Sequence, residues 1–305
     1  MKAAAPNLAV APIGEPVVVE KPNWLRSLLL APSVVILFLW MIVPLLMTIY
    51  FSFIRYSLVN PDQSGFAGGD NYLFLTQDES FWPALINTVL LVGAVLVITV
   101  VFGVLLAVLY DREFFGKNVA VLLVIAPFFV MPTVSALIWK NFLMDPVNGL
   151  IALFLHTLGL PSFDWFANLP LLSIILIIAW EWLPFAFLIL FTSLKSLDQE
   201  QKEAASIDGA TPIQMFFFII IPHLKRSIGV VVMIETIFLL SIFAEIYTTT
   251  GGGQASTNLA FLVYSLGLKQ FNVGIASAGG ILAVVLANIV AFFLVRMLAQ
   301  NLKAR

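Results

Sequence analysis

An all-α membrane protein crossing the bilayer several times is the fold class this sequence predicts, on three observations. Of 305 residues, 61% are hydrophobic and 10% charged, and mean hydropathy is +1.04, far from the composition of soluble domains. Six apolar runs are long enough to cross a bilayer core, which takes roughly 20 residues as helix. The fifteen Lys and Arg residues fall mostly into alternate loops, as basic residues retained on the cytoplasmic side do. A net charge of −2 offers no basic surface for nucleic acid, and the absence of cysteine removes disulfides, thiolate zinc sites and thiol nucleophiles.

Residues 1–24, with Pro6, Pro12, Gly14 and Pro16, carry no helical period and read as a disordered cytoplasmic tail. Residues 25–305 read as one membrane domain without internal repeats. Its spans are expected at 27–54, 85–109, 119–139, 169–194, 228–247 and 274–298. The first follows Lys21 and Arg26 but is too long for a signal-peptide core and lacks a small-residue cleavage site. The run 147–160 is apolar yet too short to span, and Pro146 and Pro161 bracket it, so it reads as a short outer interfacial or re-entrant helix.

With the N-terminus inside, Lys2, Lys21, Arg26, Arg112, Lys117, Lys195, Lys202, Lys225, Arg226, Arg296, Lys303 and Arg305 are cytoplasmic. Only Arg55, Lys140 and Lys269 are left outside, so both termini are expected in the cytoplasm. Pro32, Pro44, Pro127, Pro132 and Pro184 punctuate the spans and remove backbone donors, which fits bends. Gly274, Ala276, Ala278, Gly279 and Gly280 permit close helix approach in the last span. Trp24, Trp82 and Trp139 fall near span ends, as interfacial aromatics do. Asn87 and Asn288 read as interhelical hydrogen-bonding amides, and two isolated histidines, His156 and His223, make no metal site.

The polar stretch between the fourth and fifth spans is the most specific part of the chain. Ser196 or Asp198 can cap a helix reaching about Ile207, with Gln199 or Gln201 placed to reciprocate, and Gly209 ends it. Thr211, Pro212 and Gln214 then have the spacing of a second cap, so another amphipathic helix is expected to run toward Pro222. Two short helices joined by a glycine turn suit a docking surface, although taken by themselves Glu203 and Asp208 have a solvated charged face as their usual explanation.

Glu203-Ala204-Ala205, Asp208-Gly209-Ala210, Phe216, Ile219 and Pro222 resemble the EAA loop of membrane-spanning subunits of bacterial binding-protein-dependent ABC importers. Trp180 with Pro184, the turn Thr250-Gly251-Gly252-Gly253, and Thr257-Asn258-Leu259 followed by Phe271, Gly274 and Ala276 are similar to carbohydrate permeases of the maltose type. Segments 38–56, 124–141 and 255–267 resemble sorbitol and mannitol permeases more closely still, while Gly253 departs from the proline common at that place.

This resemblance implies an inner-membrane permease subunit paired with a second homologous permease, two cytoplasmic ATPase subunits and a periplasmic solute-binding protein. It implies that Glu203, Ala204, Ala205, Asp208 and Gly209, in a loop over 196–222, couple to the ATPase. ATP and Mg would sit on the partner subunits, because the chain lacks a G-x-x-x-x-G-K-[ST] loop; no cofactor or metal is expected here and the chain is not itself an ATPase.

Ionisable groups in a span cost roughly 2.5–3.5 kcal/mol at the helix centre on insertion scales and persist where they are useful. Glu181 lies mid-span, Glu235 about 10 Å into the fifth span by helical rise, and Glu245 near its outer end. Carboxylates that accept hydroxyl hydrogens beside aromatic faces suit polyhydroxylated solutes. Together with the maltose-type resemblance, this places Trp180, Glu181, Trp182, Phe185, Glu235, Leu239 and Glu245 along a path for a sugar, sugar alcohol or glycoside moving by alternating access. The same glutamates can instead satisfy one another or nearby Ser, Thr and Asn groups. Two other functions fit the residues alone: a secondary transporter using the glutamates as proton carriers, and a noncatalytic membrane scaffold.

Overall fold

The computed structural model describes residues 24–253 and 255–303. The expected disordered tail lies outside the described residues, except for Trp24, which begins the first helix. The chain divides after Met47. The described residues before that point form one apolar helix, α1 (Trp24–Ser52), which contains Pro32 and Pro44 and whose last turn belongs to the second unit.

In the second unit a two-residue hairpin pairs β1 (Ile54–Arg55) with β2 (Gly65–Phe66) and leads to α2 (Asp70–Gln77). Buried Asn71 fastens this corner by donating from Nδ2 to the Ser52 and Ile54 carbonyls, both at 2.9 Å. The second span is α3 (Phe81–Asp111). The expected third span is not a single helix. α4 (Lys117–Ile125) tightens into a 3-10 turn, and after Val130 and Met131 the chain resumes as α5 (Pro132–Ile138) and a π turn (Trp139–Leu143). The halves meet at 107°. Pro132 excludes the helical conformation from the residue before it, and Met131 is extended at φ −64°, ψ 138°.

The short outer helix is real but reduced to α6 (Leu150–Thr157), followed by one turn, α7 (Trp165–Asn168). α8 (Pro170–Lys195) is the fourth span and runs through Pro184. In the polar loop, α9 (Gln199–Ile207) precedes α10 (Pro212–Met215). The second loop helix does not stop at Pro222. A π turn (Phe216–Ile220) carries α10 directly into α11 (Ile221–Leu239), making one run over Pro212–Leu239. The wider turn, in which Ile221 N–H reaches back to the Phe216 carbonyl, accommodates the proline that would otherwise break the ladder.

The fifth span therefore starts earlier than expected and also ends earlier. The helix breaks over 240–243 and resumes as α12 (Ala244–Thr249). Beyond a glycine-rich turn, α13 (Leu259–Tyr264) and its π turn (Ser265–Lys269) form an apolar helix that the sequence reading missed. The last span is α14 (Val273–Lys303).

α8 is the most enclosed span and α3 its main partner. Leu91, Val95, Ile174, Ile178, Leu239 and Ile246 form one packed layer, and Val104, Ala107, Ala186, Leu190, Leu194 and Leu224 form another. In lipid such contacts gain from close van der Waals fit more than from removing surface from water, and small residues set the approach. A Cβ on Gly103 would come within 3.1 Å of the Ala186 methyl.

Asn258 holds the broken region together. Its Oδ1 accepts the Phe261 N–H at 2.8 Å, capping α13, while its Nδ2 donates to the Ile242 carbonyl at the break, at 2.7 Å. Asn87 Nδ2 donates to the Thr257 carbonyl at 2.9 Å and Thr88 Oγ1 accepts the Leu259 N–H at 2.9 Å, so α3 supports the same loop. Asn87 thus bonds across the fold as expected, but to a loop carbonyl instead of a second helix. Asn288 differs, because its amide donates to Val284 in its own helix.

Asn258→Ala leaves the Ile242 carbonyl and the Phe261 N–H unpaired, at about 1–3 kcal/mol for each buried group. The purified protein is expected to melt several degrees lower. Asn258→Asp, which keeps only the cap, should fall between; a melting temperature for Asn258→Ala equal to that of the native protein would show that the node is dispensable.

Candidate functional site

The polar loop is built by its end groups. Of the two candidate caps, Asp198 is the one used: its Oδ1 accepts the Glu200 N–H at 3.0 Å, whereas Ser196 Oγ donates to the Ser193 carbonyl. Among the described residues no reciprocal bond from Gln199 or Gln201 accompanies it; the reciprocal pair sits on the next helix instead. There Gln214 N–H donates to Thr211 Oγ1 at 3.3 Å and Thr211 N–H to Gln214 Oε1 at 2.8 Å.

Gly209 ends α9 in the left-handed region at φ +82°, where a side chain is strained. Ala210 N–H then reaches the Ala205 carbonyl at 2.9 Å and Gly209 N–H the Ser206 carbonyl at 3.1 Å, a Schellman closure. Glu203, Ala204, Asp208 and Gly209 are exposed and Ala205 is half-buried. Ile207 is 86% exposed and Ile213 71%, so bare apolar groups flank the turn.

The position of α9 is held by a residue the sequence reading passed over. Asp111, at the end of α3, binds Lys202 of α9 at 2.7 Å and Lys195 of α8 at 3.1 Å. The available signal was a lone acid closing an apolar span. Nearby, the Lys117 ammonium, 2.8 Å from Glu113, holds that exposed carboxyl below the usual carboxylate range. His223 is structural, its ring meeting the Ser193 carbonyl at 2.9 Å.

The expected path residues fall into three groups. In the first, Glu181 on α8 and Glu245 on α12, 6% and 2% exposed, have interacting carboxyl groups beside buried Ser135 of α5. Glu181 Oε1, Ser135 Oγ and Trp139 Nε1 are buried without a hydrogen-bond partner. Such groups usually cost about 1–3 kcal/mol each. Trp139 is thus no simple interfacial anchor; it packs edge-on to Trp180, ring centroids 5.8 Å apart.

In the second group, fully buried Glu235 on α11 accepts from Thr99 Oγ1 of α3 at 2.6 Å, and its Oε1 has no partner. In the third, Trp182 and Phe185, one turn apart on α8, meet Phe128 of the broken third span, and Trp182 also meets Phe238 of α11. Leu239 joins none of these polar groups and lies in the apolar core with Leu91 and Ile178. Glu181 and Glu235 therefore do not satisfy one another through any hydrogen bond seen among the described residues: Glu181 lies with Glu245 and Ser135, whereas Glu235 accepts from Thr99.

A separate cavity of about 570 Å³ is lined by Lys140, Asp145, Asp164, Phe166, Thr249 and Ser256 among others, and by none of the first group. Lys140 belongs to this structured region instead of a free loop, since its Nζ donates to the Thr249 carbonyl at 2.5 Å and to that of Thr248 at 3.3 Å. Asp145 is held below its ordinary range by the backbone N–H groups of Asn148 and Val147, at 2.7 and 3.0 Å.

The family described as "Binding-protein-dependent transport system inner membrane component" matches residues 99–304. The chain is 32% identical over 251 residues, 81% of each chain, to the probable ABC transporter permease protein y4oQ of Sinorhizobium fredii. It is 27% identical over 274 residues, 90% of this chain and 88% of the relative, to the trehalose transport system permease protein SugA of Mycobacterium tuberculosis. Its fold matches, with a TM-score of 0.76, a chain of a bacterial alginate ABC transporter solved in complex with an alginate pentasaccharide-bound periplasmic protein. That match has 24% identity and covers 90% of this chain and 94% of the other.

Thr99→Val removes the hydrogen-bond donor found for the Glu235 carboxyl among the described residues while keeping the side-chain volume. A stability loss of about 1–3 kcal/mol is expected in thermal unfolding, largely restored by Thr99→Ser; equal stability of Thr99→Val and the native protein would mean the bond contributes nothing.

Proposed function

The chain belongs to the binding-protein-dependent transport system inner membrane components, and from that membership we propose that it forms half of the membrane path of an ATP-driven importer for a sugar, sugar alcohol or related glycoside. The observation that carries the coupling part is the exposed face of α9, fixed in place by Asp111 and closed at Gly209. One of two cytoplasmic ATPase subunits grips this face, with Glu203 offering charge-assisted hydrogen bonds and Ala204 allowing close approach. ATP and Mg stay on those partners. A second, homologous permease completes the path, and a periplasmic protein delivers the solute. The membrane is the bacterial inner membrane, with both termini cytoplasmic.

Movement of the docked loop has a direct route inward. The capping box at Thr211 joins the glycine turn to a helical run that continues from Pro212 to Leu239. At 1.5 Å per residue these 28 residues span about 42 Å. Glu235 lies near the far end, just before the break at 240–243. Closure of the ATPases shifts this lever and the broken segments around it between inward- and outward-open states, an equilibrium that nucleotide and loaded binding protein both bias. The solute passes Trp180, Glu181, Trp182, Phe185, Glu235 and Glu245, whose acceptor oxygens and aromatic faces suit hydroxyl-rich molecules. Buried Leu239 acts as packing beside that path. A relative named for trehalose transport supports a saccharide as the solute.

Glu203→Ala, at an exposed position, is expected to leave thermal unfolding unchanged and to lower ATP-driven uptake by the reconstituted transporter about tenfold or more, from loss of a charge-assisted contact worth ~1.5–3 kcal/mol. Gly209→Pro cannot hold φ +82° and should uncouple ATP hydrolysis from binding-protein stimulation. Native uptake in both variants would remove α9 as the docking element.

A further inference from the structure

α9 carries the exposed docking face yet has no buried residue of its own. None of its side chains joins the three packed apolar layers, and Ser206 Oγ turns back to the Lys202 carbonyl within the helix. At Gly209, where the chain turns toward α10, no atom lies within 4 Å of the place a Cβ would occupy. Among the described residues, one side-chain contact ties α9 to a membrane span: the bond from Lys202 to Asp111, at 2.7 Å. Asp111 divides its oxygens between helices. Oδ2 takes Lys202 of α9, and Oδ1 takes Lys195 of α8 at 3.1 Å, whose ammonium also donates to the Asp111 carbonyl at 3.3 Å. The Phe191 ring steers Lys195 from another side, 5.6 Å from its ammonium.

A carboxylate closing α3 faces that helix's negative end and is disfavoured there unless cations offset it. Two do so. The Lys202 and Asp111 side chains are 15% and 23% exposed, so salt screens this pair less than one on the open surface. Behind Asp111 the fastening is stiff: Tyr110 of α3 packs edge-on to Phe187 of α8, ring centroids 5.4 Å apart, and Val104 and Ala107 share a packed layer with Ala186 and Leu190. A pull on Asp111 is therefore shared by α3 and α8, which also carry Thr99 and Glu181.

Resting on the transport reading above, we propose that Asp111 is a positioning residue that makes α3 and α8 move with α9, so that closure of the ATPases enters the membrane by two routes. One is covalent, through Gly209 and Thr211 into the run Pro212–Leu239. The other is ionic, through Lys202 and Asp111 into the paired spans. Without the Asp111 charge the partner still grips α9, but the helix swings on its two chain ends and the α3–α8 pair is left behind.

The test uses the transporter assembled in nanodiscs with cysteine-free partner subunits. This chain has no cysteine, so Glu79→Cys, just ahead of α3, and Gln201→Cys on α9, both at exposed positions, take spin labels at two known places. The length of α3 lies between them, about 46 Å for 31 residues at 1.5 Å each, within reach of paired-electron resonance. With Asp111 in place, the label separation is expected to be the same without nucleotide and after trapping with ATP and vanadate. In Asp111→Asn and in Lys202→Met it should differ between the two states by roughly 2 Å or more, the size of helix shifts in switching proteins, and Asp111→Glu should restore the native behaviour. Melting temperatures identify a variant that fails to fold, and Lys202→Met keeps the bond between Asp111 and Lys195. A native separation that changes with nucleotide overturns the proposal. So do variant separations that do not change, since Asp111 would then only fasten the resting loop. If no ATPase assembles with the chain, the transport reading fails and this proposal with it, whereas an assembled, ATP-hydrolysing complex with nucleotide-independent variants overturns the ionic route alone.

Discussion

Inside hydrocarbon a broken helix has no water to satisfy the backbone groups it frees, so every interruption must be repaired by protein. The repair at Asn258 is the one on which the rest depends. A single amide caps α13 and ties off the Ile242 carbonyl beyond α11, while Asn87 and Thr88 bring α3 to the same loop. Without that node the fifth span has no reason to end at Leu239, and Glu245 would continue along a straight helix instead of turning toward Glu181. The short helix α12, the glycine turn and the outer cavity all follow from the break being affordable.

At the other end of the same helix continuity matters instead. Pro222 would ordinarily interrupt the run, yet the π turn before it widens the ladder and lets α10 and α11 act as one rod. The polar loop and a buried carboxyl thus share a rigid element, and Asp111 ties α9 to the ends of α3 and α8 through two lysines. Lys202 and Asp111 are part-buried and Lys195 is exposed, and a network of three charges holds geometry better than a single exposed pair, whose net contribution is small. The loop is stiff where it is anchored and bare where Glu203, Ala204 and Gly209 face outward.

The buried acids divide in an instructive way. Glu235 has one good donor in Thr99, so much of its burial is compensated locally. The Glu181 and Glu245 region is less complete, with donor and acceptor atoms near one another but not closed into a network. Half-satisfied polar groups weaken a packed protein, and they persist most reasonably where another molecule or another conformation uses them.

Much of this was legible in the chain. Apolar length and the distribution of lysine and arginine gave the all-α spanning class, and local chemistry gave the loop: Asp198, Gly209, Thr211 and Gln214 act through groups three or four residues away, so their roles survive without knowledge of the rest of the fold. Pro132 announced a bend for the same reason. What the sequence could not decide was where non-local partners would be. The early end of the fifth span and the helix 259–269 rest on Asn258 reaching the Ile242 carbonyl and on Asn87 and Thr88 reaching residues 257 and 259 across some 170 residues. Leu239 looked equivalent to Glu235 by position and became core, while Ser135 was brought to Glu181, and Trp139 to Trp180, only by packing. Periodicity and capping are properties of a few neighbouring residues, whereas a site inside the membrane is made by which helix faces happen to meet, and only the tertiary structure decides that.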